Sequence, residues 1–162
     1  MEAFAYLYAI AAVGMSFAGL SVLTMILRQI LGGQLTKFDS FVSRTWIQLG
    51  FMITLGSILP PLLALFEIPT AMVWRISSGV MAIVLGFFAL TFPRRRRATN
   101  PTPLPMPVII FVAAMTVIAL VLAANAVTVA VAGIYAAAVT AILVGAAMLF
   151  LFTFVYWYEA SI

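Results

Sequence analysis

The sequence contains neither cysteine nor histidine, and only 7% of its 162 residues are charged. Without these two residue types no disulfide can form, and haem, copper, zinc and iron–sulfur centres lose their usual ligands. Nucleophilic catalysis by a Ser-His-Asp or Cys-His arrangement is also excluded. The carboxylates are few for acid–base catalysis or a hard-metal site: Glu2, Asp39, Glu67 and Glu159. We therefore expect a protein that is not an enzyme and that binds lipids rather than a metal or cofactor.

The scarcity of charge accompanies a hydrophobic content of 66%, whereas soluble domains carry about 25% charged residues. Too few polar side chains remain to cover a water-facing surface, so lipid must cover most of it. We expect an all-α integral membrane bundle that forms a single domain over residues 1–162. The net charge is +4, but the basic residues lie between apolar runs, where they set membrane orientation rather than bind nucleic acid.

Five apolar runs are long enough to cross a bilayer, which takes roughly 17–25 residues. The predicted spans are residues 4–27, 46–66, 73–92, 108–124 and 133–158. The last two divide an uncharged segment that would measure roughly 76 Å as one helix, longer than any bilayer is thick. We place the turn between Ala124 and Gly133, with Asn125 as its polar residue.

Proline and polar residues predict the connections. Pro93 and the arginines that follow it are expected to end the third helix, and residues 93–107 form an Arg- and Pro-rich connector. Residues 37–43 have the composition of a short surface helix. Pro60 and Pro61 predict a bend near the outer end of the second span, although a broken transporter helix has the same pattern.

The orientation follows from the basic residues, which favour the cytoplasmic side. Seven of the eight lie in the connections after the first and third spans, and Arg75 alone lies on the other side. The N-terminus is therefore predicted outside and the C-terminus in the cytoplasm. Trp46 is expected at the membrane interface, and Arg75 can reach the outer surface beside Trp74.

Two sets of charges are candidate sites. Glu67 and Arg75 flank the outer turn, where we expect an interfacial ion pair. The functional alternative is a binding or proton-handling pair at the mouth of a cavity. The second set is the run Arg94, Arg95, Arg96 and Arg97, which sets topology and is a candidate contact for anionic lipid head groups.

Small residues recur on three spans. The fifth span places Gly133, Ala137, Ala141 and Gly145 four residues apart on one helix face. Such faces let helix backbones approach closely, either within the bundle or against a partner protein. The first span offers Gly14 and Ala18, and the third offers Ser78, Ala82 and Gly86. For the scattered hydroxyl side chains and Gln48, a role in helix packing is favoured over a role as the lining of a pore.

The first 97 residues resemble a family of small polytopic bacterial inner-membrane proteins. The fragments that carry the resemblance are Leu27-Arg28-Gln29 with Gly32-Gly33, then residues 73–78, then the arginine run. The resemblance implies a multi-pass protein of the bacterial inner membrane and implies no activity.

These observations favour a non-enzymatic structural or accessory subunit that packs against a larger membrane complex or self-associates. Its expected partners are membrane lipids, including anionic head groups, and other membrane protein subunits or further copies of the chain. The alternative is a small channel or transporter with a proline-broken second helix. The lack of a carboxylate near the bilayer midplane disfavours a proton- or sodium-coupled mechanism. A membrane enzyme is a third hypothesis, with Glu67 as its best candidate acid.

Overall fold

A computed structural model describes residues 2–30 and 36–159, with side chains as far as Thr153. Over these residues the chain is all-α. It forms five helices, α1 Glu2–Ile30, α2 Lys37–Ala64, α3 Thr70–Thr99, α4 Met106–Val127 and α5 Ala132–Glu159. Each of the five is long and apolar enough to cross a membrane. The predicted fold class is confirmed, and the chain is a multi-pass helical membrane protein.

The second helix begins earlier than predicted. Residues 37–43 are not a separate surface helix but the first turns of α2. The side chain of Thr36 accepts a hydrogen bond from the Asp39 amide, while Asp39 accepts one from the Thr36 amide. This capping box satisfies two amides that would otherwise lack partners, so the helix starts at Lys37. A helix of 28 residues is about 42 Å long and projects beyond the roughly 30 Å hydrocarbon layer.

The third helix ends later than predicted. Pro93 and the arginine run do not terminate it, because α3 continues to Thr99. Arginine is a strong helix former, and cations in the last turn interact favourably with the helix dipole. A proline removes one amide donor, and membrane helices tolerate that loss when neighbouring groups compensate for it. The connector to α4 is therefore shorter than the predicted residues 93–107 and starts at Asn100.

Close backbone approach joins α1 to α2. A methyl group at Gly50 would lie 2.7 Å from the Ala18 Cβ atom and 2.9 Å from the Gly14 carbonyl oxygen, distances that no real side chain occupies. The Thr54 hydroxyl donates across the same interface to the Ala11 carbonyl at 3.2 Å. The small residues predicted on the first span thus pack inside the bundle.

The fifth helix contacts each of the other four. Its Tyr135 side chain is fully buried, and the tyrosine ring lies 5.8 Å from that of Trp74 on α3. Trp46 on α2 is 1% exposed and packs 4.7 Å from the Phe150 ring. The Trp46 ring therefore fills the space between α2 and α5 and does not face lipid, and its predicted depth at the membrane interface stays a prediction.

The turn between α4 and α5 lies where the sequence predicts it. Asn125 is buried, and its side-chain amide donates to the Ser78 hydroxyl at 2.9 Å and to the Val131 carbonyl at 3.3 Å. Its side-chain oxygen accepts from the Val131 amide at 2.9 Å. Ala130 adopts a left-handed conformation with φ of 53°. One amide side chain thus satisfies the backbone of an apolar turn and ties that turn to α3.

Candidate functional site

An ion pair joins α1 to α2 at the end of the bundle that carries the arginines. Arg28, near the end of α1, lies 2.7 Å from the Asp39 carboxylate at the start of α2. The same carboxylate caps α2 and accepts a hydrogen bond from the Thr36 hydroxyl at 2.8 Å. Asp39 is therefore committed to holding α1 and α2 together.

The four consecutive arginines have three different environments. Arg94 and Arg97 are exposed on the last turns of α3. Arg95 is partly covered, and its guanidinium donates to the Gln48 side-chain oxygen on α2 at 2.8 Å. Arg96 is only 4% exposed and donates to the Thr102 carbonyl at 3.1 Å. Because α3 remains helical here, successive side chains point about 100° apart, which separates the four charges.

Two aromatic rings lie under the two covered arginines. Phe38 and Phe41 of α2 stack with their centroids 6.4 Å apart. The Arg96 guanidinium lies 5.6 Å from the Phe38 centroid, and the Arg95 guanidinium lies 5.9 Å from the Phe41 centroid. Both distances are within the range of cation–π attraction, which attaches the end of α3 to the start of α2.

A cavity of about 210 Å³ lies beside Arg96. Its walls come from α2, the end of α3, the connector, the start of α4 and the last described turns of α5. Trp46, Leu149 and Phe152 supply apolar surface, while Arg96 and Thr153 supply polar groups. Phe152 is 43% exposed, so this side of the cavity lies at the outer surface of the bundle.

A larger groove of about 570 Å³ runs between α2 and α3. Arg95 and Gln48 lie at one end of it, and Leu62 and Val80 lie at the other. The distance along α2 from Gln48 to Leu62 is about 21 Å, more than the roughly 15 Å of hydrocarbon in one leaflet. The walls between these ends are apolar, so the groove suits lipid chains better than a polar solute.

The predicted ion pair between Glu67 and Arg75 does not form. Both residues are exposed, and in the described part of the chain no contact within 4.0 Å joins their charged groups. Glu67 lies in the turn after α2 with a left-handed φ of 57°, whereas Arg75 lies more than one turn inside α3. The chain reverses between them, so proximity in sequence does not bring the side chains together.

The small residues of α5 divide between two environments. Gly133, Ala137 and Ala141 are exposed on the outward face of the helix. Gly145 instead faces α4, where a methyl group would lie 3.2 Å from the Met115 side chain. A helix turns slightly more than a full turn in four residues, so a four-residue stripe winds from the surface into the α4 contact.

A second outward face was missed from the sequence. Along α1, small residues occur at alternating intervals of four and three, and all of them are exposed: Ala5, Ala9, Ala12, Ser16 and Gly19. The Ser16 hydroxyl donates to the Ala12 carbonyl at 2.9 Å, so it leaves no polar group unsatisfied toward lipid. The sequence could have predicted this face, because a mean spacing of 3.5 residues is typical of the seam along which one helix packs on another. We call these five positions the α1 seam.

Three buried hydroxyl groups among the described residues join neighbouring helices. Thr54 bonds α1, Ser78 bonds α4, and Tyr135 donates to the Gly56 carbonyl at 2.6 Å. The hydroxyls of Ser57 and Ser77 are buried without a hydrogen-bond partner among the described residues. Neither Thr54 nor Ser57 lines the cavity or the groove described above.

The comparisons with known proteins add no relative. No protein-family model, no curated protein and no solved structure matches this chain.

Proposed function

We propose that the chain is a non-enzymatic protein of the bacterial inner membrane. In this proposal it acts as a structural or accessory subunit, packing against a larger membrane complex or a second copy. The observation that carries the proposal is the outward face of α1, where every position of the seam from Ala5 to Gly19 holds a small residue. The assignment to the bacterial inner membrane rests on the resemblance of the first 97 residues.

Small residues on an outward face favour contact with another helix. Lipid chains are as apolar as leucine, so helices associate in membranes through close packing rather than hydrophobic burial. Small side chains let two backbones approach, which adds van der Waals contact and Cα–H···O interactions. The outward face of α3 provides a contrast within the same chain, because Ile83, Phe87 and Leu90 occupy it at similar spacing.

The outward part of the α5 stripe supports the same proposal. Gly133, Ala137 and Ala141 span a little more than two turns of exposed helix surface. With the α1 face, the bundle offers two small-residue surfaces on different helices. Two such surfaces suit a subunit that lies between two neighbours, or one that uses a single face and leaves the other to lipid.

Purification of the full-length tagged protein in a mild detergent, followed by mass spectrometry, tests the proposal. We expect stoichiometric recovery of one defined membrane complex, or a defined homo-oligomer. Ala12→Phe should lower that recovery at least about tenfold, because a ring at this position separates the two backbones. The matched control is Ala113→Phe, which makes the same change at an exposed alanine of α4.

Two results would contradict the subunit role. One is a monomer with no associated protein under conditions that preserve known membrane complexes. The other is an equal loss of partner from the Ala12 and Ala113 variants, which would show a general disturbance of the membrane surface.

The alternative proposal is a small channel or transporter. The observation that favours it is Gln48, a polar side chain at one end of the groove between α2 and α3. The apolar walls beyond Gln48 favour lipid over a hydrophilic solute. Solute flux into liposomes that contain the purified protein, absent from empty liposomes, would support this alternative over the subunit role.

A further inference from the structure

Arg96 is a buried cation for which the described residues supply no carboxylate. Its guanidinium makes one hydrogen bond to the described residues, and the acceptor is a neutral backbone carbonyl, that of Thr102. In the same region Asp39 is already paired with Arg28. A guanidinium has five N–H donors, and removing its charge from water costs several kcal/mol unless an anion compensates for it.

The cavity beside this cation has the character of a site for an amphiphile. Arg96 and Thr153 provide polar groups, and Trp46, Leu149 and Phe152 provide an apolar wall. The volume of about 210 Å³ holds the equivalent of roughly seven water molecules, so it accommodates part of a lipid and not a whole one. Phe152 brings the cavity to the outer surface of α5, so the remainder of such a molecule can lie along the bundle.

We propose that this cavity binds one anionic phospholipid. Its phosphate lies against the Arg96 guanidinium, and the first part of one acyl chain packs on Trp46, Leu149 and Phe152. The phosphate supplies the negative charge that the described protein groups do not, and charge-assisted bonds from guanidinium to phosphate are strong. The site is separate from the subunit role, which uses the outward faces of α1 and α5.

Arg96 differs from its neighbours in the kind of lipid contact that it makes. Arg94 and Arg97 are exposed and attract anionic head groups only as surface charges. Arg95 is held by Gln48 at the end of the groove. Arg96 alone among the four combines near-complete burial with an adjoining cavity, so its site should discriminate one bound lipid from the surrounding layer.

Native mass spectrometry of the full-length protein, titrated with phosphatidylglycerol, tests the site. We expect the wild type to retain one phosphatidylglycerol after the surface lipids have been removed, and to retain no phosphatidylcholine at the same concentration. Arg96→Gln should weaken retention at least about thirtyfold. The matched control Arg97→Gln removes the same charge one residue away and should weaken it no more than about fivefold.

A second variant keeps Arg96 and removes the space beside it. Thr153→Phe should place a ring in the space beside Arg96 and abolish retention while the helical circular dichroism stays unchanged. This variant keeps the test decisive if Arg96→Gln fails to fold.

Three outcomes would overturn the proposal. If the Arg96 and Arg97 variants weakened phosphatidylglycerol retention equally, the retention would be due to surface charge and not to the cavity. Equal retention of phosphatidylglycerol and phosphatidylcholine would remove the role of the anion. Retention by a Glu159→Gln variant but not by the wild type would identify the carboxylate at the end of α5, whose side chain lies beyond those described, as the partner of Arg96.

Discussion

The hydroxyl of Tyr135 donates a 2.6 Å hydrogen bond to the carbonyl oxygen of Gly56. That carbonyl is the one that Pro60 deprives of a partner, because the amide four residues later in α2 would normally bind it. A side chain on α5 thus replaces a missing bond inside α2. The replacement compensates for the donor missing at Pro60, in a helix that continues through Pro60 and Pro61 to Ala64.

Removing this hydroxyl should destabilise the bundle. Tyr135→Phe keeps the ring but leaves the Gly56 carbonyl unpaired, so we expect a loss of about 0.6–1.7 kcal/mol in the free energy of unfolding. Reversible unfolding in mixed micelles would measure it. Tyr8→Phe, at an exposed tyrosine of α1, is the control and should change little.

In a Pro60→Ala background the helix supplies its own amide, so the Tyr135 change should cost less free energy of unfolding there. A cost that is the same in both backgrounds would refute the link between the proline and the tyrosine.

The approach of α1 to α2 depends on the absence of a side chain at Gly50. Gly50→Ala should destabilise the protein by about 1–3 kcal/mol, because the new methyl group meets Ala18 and the Gly14 backbone. Gly19→Ala is the matched control, since nothing lies within 4 Å of its added methyl group and alanine favours the helix. Thermal unfolding of both variants in the same detergent gives the comparison. A Gly50 variant as stable as the Gly19 variant would contradict the packing described here.

The helices were predictable because each one is indicated by many apolar residues in succession, so no single position decides the prediction. Apolar runs of about 20 residues identify the spans, and the need to divide an uncharged segment that is too long for one crossing locates the turn near Asn125. The ends were less predictable. Pro93 signals a break locally, but the arginines that follow favour the helix and α3 continues to Thr99.

The candidate sites were predictable only in part, for a reason of geometry. Consecutive arginines are one feature in the sequence, yet the helix directs Arg95 toward Gln48 and buries Arg96 beside a cavity. The ion pair expected between Glu67 and Arg75 fails because the turn conformation separates them. Which faces look outward depends on how the helices pair, and this pairing is what reveals the small-residue face of α1.

Asn125 should be the most sensitive polar residue at the end opposite the arginines. Asn125→Ala leaves the Val131 amide and the buried Ser78 hydroxyl without this partner, which should lower the free energy of unfolding by about 2 kcal/mol. Hydrogen exchange should also accelerate at the amides of the turn between α4 and α5. Thr116→Val is the control, since that exposed hydroxyl bonds only its own helix. Unchanged exchange at the turn would show that Asn125 does not hold it.

The predicted orientation can be tested by labelling single introduced cysteines, because the chain has no cysteine of its own that would react. Glu67→Cys lies in the turn after α2, and Ala98→Cys lies near the end of α3, both at exposed positions on opposite ends of the bundle. With the arginine-rich end in the cytoplasm, a membrane-impermeant maleimide should label the Glu67 variant in intact cells. It should label the Ala98 variant only after the membrane is permeabilised. The cysteine-free wild type reports non-specific labelling. The reverse pattern would place the N-terminus in the cytoplasm and move the proposed Arg96 lipid site to the outer leaflet.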